Sequence, residues 1–233
     1  MTLAIVTGGS RGLGLECAKA LITAGHRVVL VAKNAELLSR VSAELNCDFR
    51  AVDLENVAAA EIVFKEIVES FGTPDVVVLA HGVMSEKMSK TLKTTLAEWR
   101  RVMSINLDSV FTAINILAAP MANERKGRVV IFSACLGRMS GPGNAGGLAP
   151  YRISKAGVNA LVRNLAHETG HGSRGFLVDA ICPNHTRTDM GGPDAPLSIE
   201  EGADTAIWLA TRDFNPEQDK TGYLWEERAI IDW

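Results

Sequence analysis

The start of the chain constrains its fold most. Leu3-Ala4-Ile5-Val6-Thr7 is a short apolar run that passes at once into Gly8-Gly9-Ser10-Arg11-Gly12-Leu13-Gly14. A strand that leads through a glycine-rich turn into a helix gives such glycines a mechanism. They let the backbone turn sharply and approach an anion. The free N–H groups and dipole of the helix start then favour a phosphate. A glycine-rich turn that binds nothing is the alternative.

The rest of the chain repeats this alternation. Strands are expected over 28–31, 49–53, 76–79, 129–133, 176–182 and 223–225, after the first at 3–7. Helices are expected over 12–24, 35–45, 57–71, 96–103, 107–123, 151–167 and 200–210. Gly25 is placed to stop the first helix, and Gly72 with Pro74 to stop the third. Near-continuous Val/Ile/Leu runs suit a parallel sheet covered on both faces, and this alternation suits a doubly wound α/β fold. No internal repeat or low-complexity linker divides residues 1–233, so one domain is expected.

Composition excludes several function classes. Net charge is −3 and no Lys/Arg run occurs, so no nucleic-acid or anionic-membrane partner is expected. The N-terminus lacks the basic and long apolar regions of a signal peptide, and no run is expected to reach the length of a membrane span, so a cytoplasmic protein is expected. Cys17, Cys47, Cys135 and Cys182 are far apart without a Cys-x-x-Cys, which points to reduced thiols in or near the core and to no metal site.

A second motif lies downstream. Tyr151-Arg152-Ile153-Ser154-Lys155 is a Tyr-x-x-x-Lys on a predicted helix, where residues four apart share a face. A nearby ammonium stabilises phenolate, so such a tyrosine can exchange a proton with a carbonyl oxygen. An amphipathic helix with a surface tyrosine and lysine is the alternative.

Together, Thr7-Gly8-x-x-x-Gly12-x-Gly14 and Tyr151-x-x-x-Lys155 resemble the signatures of short-chain dehydrogenases/reductases, and the resemblance extends along almost the whole chain. It implies a Rossmann-like domain with a mostly parallel sheet of about seven strands, a nicotinamide cofactor and a homodimer or homotetramer. The cofactor would lie on Gly8, Ser10, Arg11, Gly12, Leu13 and Gly14. Val31-Ala32-Lys33-Asn34 has no acid where one would bind a ribose 2′-hydroxyl; Lys33 and Arg11 therefore favour NADP(H) over NAD(H). Asp53-Leu54 matches the pair beside the adenine, and Gly82 the glycine after the fourth strand. Tyr151 and Lys155 take the catalytic pair's places, Lys155 also as a ribose ligand, and Asn106 that of the asparagine organising a proton relay. Thr186 and Thr188 match positions that hold the carboxamide.

Three places depart from the family pattern. Leu79-Ala80-His81-Gly82 replaces Asn-Asn-Ala-Gly. In Ser133-Ala134-Cys135-Leu136-Gly137, Ala134 stands where the family serine should be, and Ser133, Ser140 or His81 are the candidate substitutes. Asn184 replaces a glycine after Pro183, and Asn tolerates positive φ. The Gly/Pro-rich stretch 189–198 reads as a substrate lid or a plain surface loop. The leading expectation is NADPH-dependent reduction of a C=O or C=N bond in a small, fairly apolar substrate. A non-redox cyclisation, isomerisation or elimination, or a catalytically silent NADP(H)-binding subunit, are the alternatives these departures raise.

Overall fold

A computed structural model describes residues 2–86 and 89–233. Its elements, in chain order, are β1 (Leu3–Thr7), α1 (Gly12–Thr23), β2 (Arg27–Ala32), α2 (Ala35–Leu45), β3 (Asp48–Ala51), α3 (Val57–Phe71), β4 (Val76–Leu79), α4 (Leu96–Asn123), β5 (Gly127–Phe132), α5 (Ala149–Thr169), β6 (Phe176–Ile181), α6 (Ile199–Thr211), β7 (Leu224–Glu226) and β8 (Ala229–Ile231). All the strands join one sheet in the order β3-β2-β1-β4-β5-β6-β7-β8, parallel throughout except for the last pair. The strand order reverses between β1 and β4, and in such sheets ligands bind outside the carboxyl ends at that point.

Strand alternation divides the core between the two faces. Ile5, Val29, Val31, Val77 and Leu79 pack with Phe64 and Ile67 of α3 and Val158 and Val162 of α5. Their neighbours Val6, Val28, Leu30 and Val78 pack on the other face with Leu21 of α1, Leu38 of α2 and Leu209 of α6. Each fully buried side chain of this size stabilises the fold by about 2 kcal/mol. Asn34, Asn56, Thr95 and Ser198 cap α2, α3, α4 and α6 with their side chains.

The expected mostly parallel sheet is found, and four details differ from expectation. Among the described residues the sheet has eight strands, because a hairpin adds β8 to β7. Its two-residue turn, Glu227-Arg228, is left-handed at both positions, a conformation usually signalled by Asn-Gly. The third strand ends at Ala51, so Asp53 lies in the loop beyond it. The two helices expected at 96–103 and 107–123 are one, continued through wide π turns at Ser104–Asp108 and Ile114–Ala118. That helix, α4, is long and apolar enough by length and composition to cross a membrane, with a mean hydropathy of 1.5 over its most apolar window. It is a core helix: Val110, Ala113, Ile114, Leu117 and Met121 are buried in the packing described above.

Candidate active site

The glycine loop is dictated by packing as well as by conformation. Gly8 and Gly12 have φ of 66° and 55°. A Cβ on Gly8 would lie 2.9 Å from His81 N, and one on Gly14 would collide with the carbonyl oxygen of Gly8. The first turn of α1 therefore sits hard against the strand ends. Arg11 precedes this helix without a side-chain cap, and the first turn holds no acid. Its first N–H groups thus have no side-chain anion, which fits a pyrophosphate. Ser10 is buried, and Leu13 packs on the α1 side of the core.

Beyond the end of β2, Lys33 pairs with Asp53 at 2.6 Å, and at the glycine loop Arg11 pairs with Asp189 at 2.6 Å. The hydrogen bond between Lys33 and Asp53 raises the lysine's pKa and lowers that of the carboxyl. Leu54 is buried in the core beneath them. Both cations expected at a 2′-phosphate thus lie beside β2 and the glycine loop, each with an acidic partner. Arg11 and Asp189 also bridge the loop to the segment 189–198. That segment folds back through Arg187, whose guanidinium donates to the Ala195 and Pro196 carbonyls.

Lys155, Asn106 and Gly82 converge at the carboxyl ends of β4 and β5, with Lys155 Nζ 5.9 Å from the centre of the Tyr151 ring. α5 begins at Ala149, two residues before the expected start, with Pro150 in its first turn and Leu148 left-handed before it. The hydroxyl of Ser85 accepts the Tyr151 N–H at 2.9 Å. Lys155 donates from Nζ to the Phe132 carbonyl at 2.7 Å. A Cβ on Gly82 would lie 3.4 Å from both Lys155 Nζ and Asn106 Oδ1, so glycine keeps this space open. Asn106, within the first π turn of α4, accepts the Val83 N–H at 2.8 Å and donates to the Val83 carbonyl at 2.9 Å and Ser154 Oγ at 3.1 Å.

Burial dominates the electrostatics here. It lowers the Lys155 pKa to about 8. It also pushes the Tyr151 phenol up, assisted by the neighbouring thiols of Cys182 and Cys135. The expectation that Lys155 lowers the phenol is therefore corrected: the ammonium turns toward Phe132, and desolvation prevails.

The three departures take defined places. His81 is buried, with Nδ1 2.5 Å from Thr7 Oγ1 and Nε2 2.8 Å from Ser109 Oγ. Burial, then the charge of Lys155, lowers its pKa to about 3, so it stays neutral and ties β1 to α4. Ser133 donates to Asn159 Oδ1 at 2.5 Å and to the Lys155 carbonyl at 3.3 Å. Both partners lie on α5, so this hydroxyl fixes the strand end to the helix. Ser140 lies further along the loop and donates to the Trp233 carbonyl. Ala134 offers no side-chain donor. Asn184 adopts φ 56°, the left-handed conformation expected where glycine is replaced.

The two threonines differ. Thr186 is buried and donates to the Pro183 carbonyl at 2.8 Å, while its side chain packs so tightly on α6 that Gly202 can carry no Cβ. Thr188 instead faces the glycine loop, where a Cβ on Gly12 would lie 3.6 Å from its methyl group. Ser85, Ser154 and Asn159 are supporting residues that the sequence reading missed. Ser154 and Asn159 were within reach of a helical-spacing argument, lying three and four residues beyond Tyr151 and Lys155 respectively. A cavity of about 800 Å³ opens beside the start of α5, lined by residues 90–93 and 146–148. It borders α5 without including Tyr151 or Lys155.

The short chain dehydrogenase family model matches residues 2–196. The chain belongs to that family. It is 31% identical over 190 residues to the 3-oxoacyl-[acyl-carrier-protein] reductase of Salmonella typhimurium, covering 81% of this chain and 75% of the relative. Among solved structures, a protein titled ribose-5-phosphate isomerase from Brucella melitensis superposes with a TM-score of 0.82 at 26% identity, covering 96% of this chain and 89% of the other. A blue fluorescent protein from a metagenomic library, solved in complex with NADPH, gives a TM-score of 0.82 at 24% identity, covering 96% and 94%. This last likeness concerns the fold alone.

Proposed function

We propose that this short-chain dehydrogenase is an NADPH-dependent reductase of a C=O or C=N bond in a small, fairly apolar substrate. The observation that carries this reading is the convergence of Lys155, Asn106 and Gly82 at one end of the sheet, with the Tyr151 ring 5.9 Å from Lys155 Nζ. The similarity to a 3-oxoacyl reductase supports the choice of a carbonyl. Lys33 and Arg11 support NADP(H), because a phosphate dianion can take over cations now shared with Asp53 and Asp189.

The cofactor, when bound, supplies the hydride. Tyr151 delivers a proton to the substrate oxygen or nitrogen. Its raised pKa suits that direction, since the phenol remains protonated and available as an acid at neutral pH. Lys155 would hold the ribose, its ammonium anchored by the Phe132 carbonyl. Asn106 holds α4 against the backbone at Val83 and, through Ser154, against the helix carrying both residues. Gly8, Ser10, Gly12, Leu13 and Gly14 would cradle the pyrophosphate, with Asp53 and Leu54 beside the adenine and Thr188 near the carboxamide. The packing of Thr186 gives it a supporting place under that loop. Ser133 is not the missing donor in this reading, because its hydroxyl is committed to α5.

A second reading is favoured by one observation. Position 134 carries no hydroxyl, and one lost donor to a developing oxyanion costs roughly a hundredfold or more in rate. A non-redox use of the site, such as isomerisation, follows if that loss is not compensated. A panel of ketones, quinones and cyclic imines, assayed with NADPH and NADH, separates the two. Substrate-dependent NADPH oxidation supports reduction; saturable NADPH binding without oxidation on any substrate favours the non-redox reading. Phe111 and Ile153, exposed on α4 and α5, further support pairing of these helices between copies as a homodimer or homotetramer.

A further inference from the structure

Two of the four cysteines, 47 residues apart in sequence, meet beside the catalytic helix. Cys135 opens a tight turn, Cys135–Gly137, just beyond the end of β5. Cys182 follows β6 directly and is buried, whereas Cys135 is partly exposed. The Cys135 N–H donates to Cys182 Sγ at 3.0 Å, which brings the Cys182 side chain onto the backbone of its partner. Cys182 Sγ also lies 3.9 Å from Asn184 Oδ1, and each thiol is the leading perturbation of the other's acidity.

The turn is also locked to the catalytic helix. A Cβ on Gly137 would lie 2.7 Å from the carbonyl carbon of Lys155, and Asn159 donates from Nδ2 to the Gly137 carbonyl at 3.3 Å. Cys182 starts the segment that continues through Pro183 and left-handed Asn184 to Thr188 at the glycine loop. A bond between the two sulfurs would therefore tie together two loops that border the site.

We propose that Cys135 and Cys182 form a peroxide-sensitive dithiol whose oxidation to a disulfide stops turnover. The Cys135 thiolate attacks hydrogen peroxide, forming a sulfenic acid and releasing hydroxide, which is protonated to water. The Cys182 sulfur then attacks the sulfenic sulfur, forming the S–S bond and releasing a second water. Two thiols are oxidised as one peroxide is reduced. The partly exposed Cys135 is the attacking group: the hydrogen bond with Cys182 lowers its pKa to about 7, while that of Cys182 is pushed up. Bond formation draws the sulfurs to about 2.0 Å, which strains a turn already packed without slack on the Lys155 backbone.

The proposal rests on the reductase reading only for its effect on turnover, since thiol counting and peptide mapping read the cross-link itself. The full chain, reduced and desalted, is treated with hydrogen peroxide. The expected result is a fall from four titratable thiols to two, a mass loss of two hydrogens, and a linked peptide pair containing Cys135 and Cys182. NADPH turnover falls at least about tenfold and returns with dithiothreitol. Phenylarsine oxide, which bridges paired thiols, binds one per chain to the reduced protein and not to Cys135→Ala, and peroxide leaves the turnover of that variant at its own untreated value. Sulfinic acid at Cys135 without a cross-link, a cross-link through Cys17 or Cys47, or a Cys135–Cys182 bond that leaves turnover unchanged would each overturn the proposal.

Discussion

His81→Gln should remove much of the protein's acid sensitivity. His81 lies between Thr7 and Ser109, and burial lowers its pKa from 6.5 to about 3. The unfolded chain therefore binds a proton at His81 between these values while the folded chain does not. Stability must rise with pH across that window and be lost as pH falls through it. At about 1.4 kcal/mol per pH unit, this one group costs about 3 kcal/mol between pH 7 and pH 4. Glutamine is neutral throughout and can still exchange hydrogen bonds with one hydroxyl. Urea unfolding followed by tryptophan fluorescence, at both pH values, gives the loss for each protein. Comparing the two losses cancels any fixed cost of the substitution. The variant should lose about 3 kcal/mol less than the wild type. A difference below about 1 kcal/mol would refute the assignment of His81 as a neutral buried tie.

Three further outcomes follow. Lys33→Ala should weaken NADPH binding by roughly tenfold and leave NADH binding within about twofold, as fluorescence titration would show, since only the 2′-phosphate needs the cation. The rate of reduction should fall as pH rises through about 8, where Lys155 loses its charge; a pH–rate profile flat across that value would contradict its role. Asn184→Ala should destabilise the fold by about 1 kcal/mol, because alanine lacks the short polar side chain that lets asparagine tolerate φ 56°, and Asn184→Gly by less, because glycine has no Cβ; thermal unfolding measures the difference.

The fold was legible because its determinants are local. Apolar runs such as Val76–Leu79 can be buried only in a covered sheet, and the spacing of Gly8, Gly12 and Gly14 announces a strand–turn–helix. β8 was hidden because Glu227 and Arg228 make a left-handed turn without glycine or asparagine. The π turn at Asn106 was hidden for a related reason: its residues keep helical dihedrals, so the sequence suggests a break where the chain only widens. At the site, helical spacing placed Tyr151 beside Lys155. What spacing could not supply was direction. Whether Ser133 faces α5 or the substrate depends on Asn159, 26 residues away. The neutrality of His81 likewise depends on burial and on the charge of Lys155, 74 residues away, and the meeting of Cys135 with Cys182 on two separate strand ends.

The central claim is that Tyr151 donates the proton as hydride reaches the substrate. Its most direct test is to measure turnover and NADPH affinity in Tyr151→Phe beside the wild type, on any substrate that supports NADPH oxidation. Loss of the phenolic proton donor should lower the rate by about a hundredfold or more, with NADPH affinity retained. Turnover equal to that of the wild type would contradict the account.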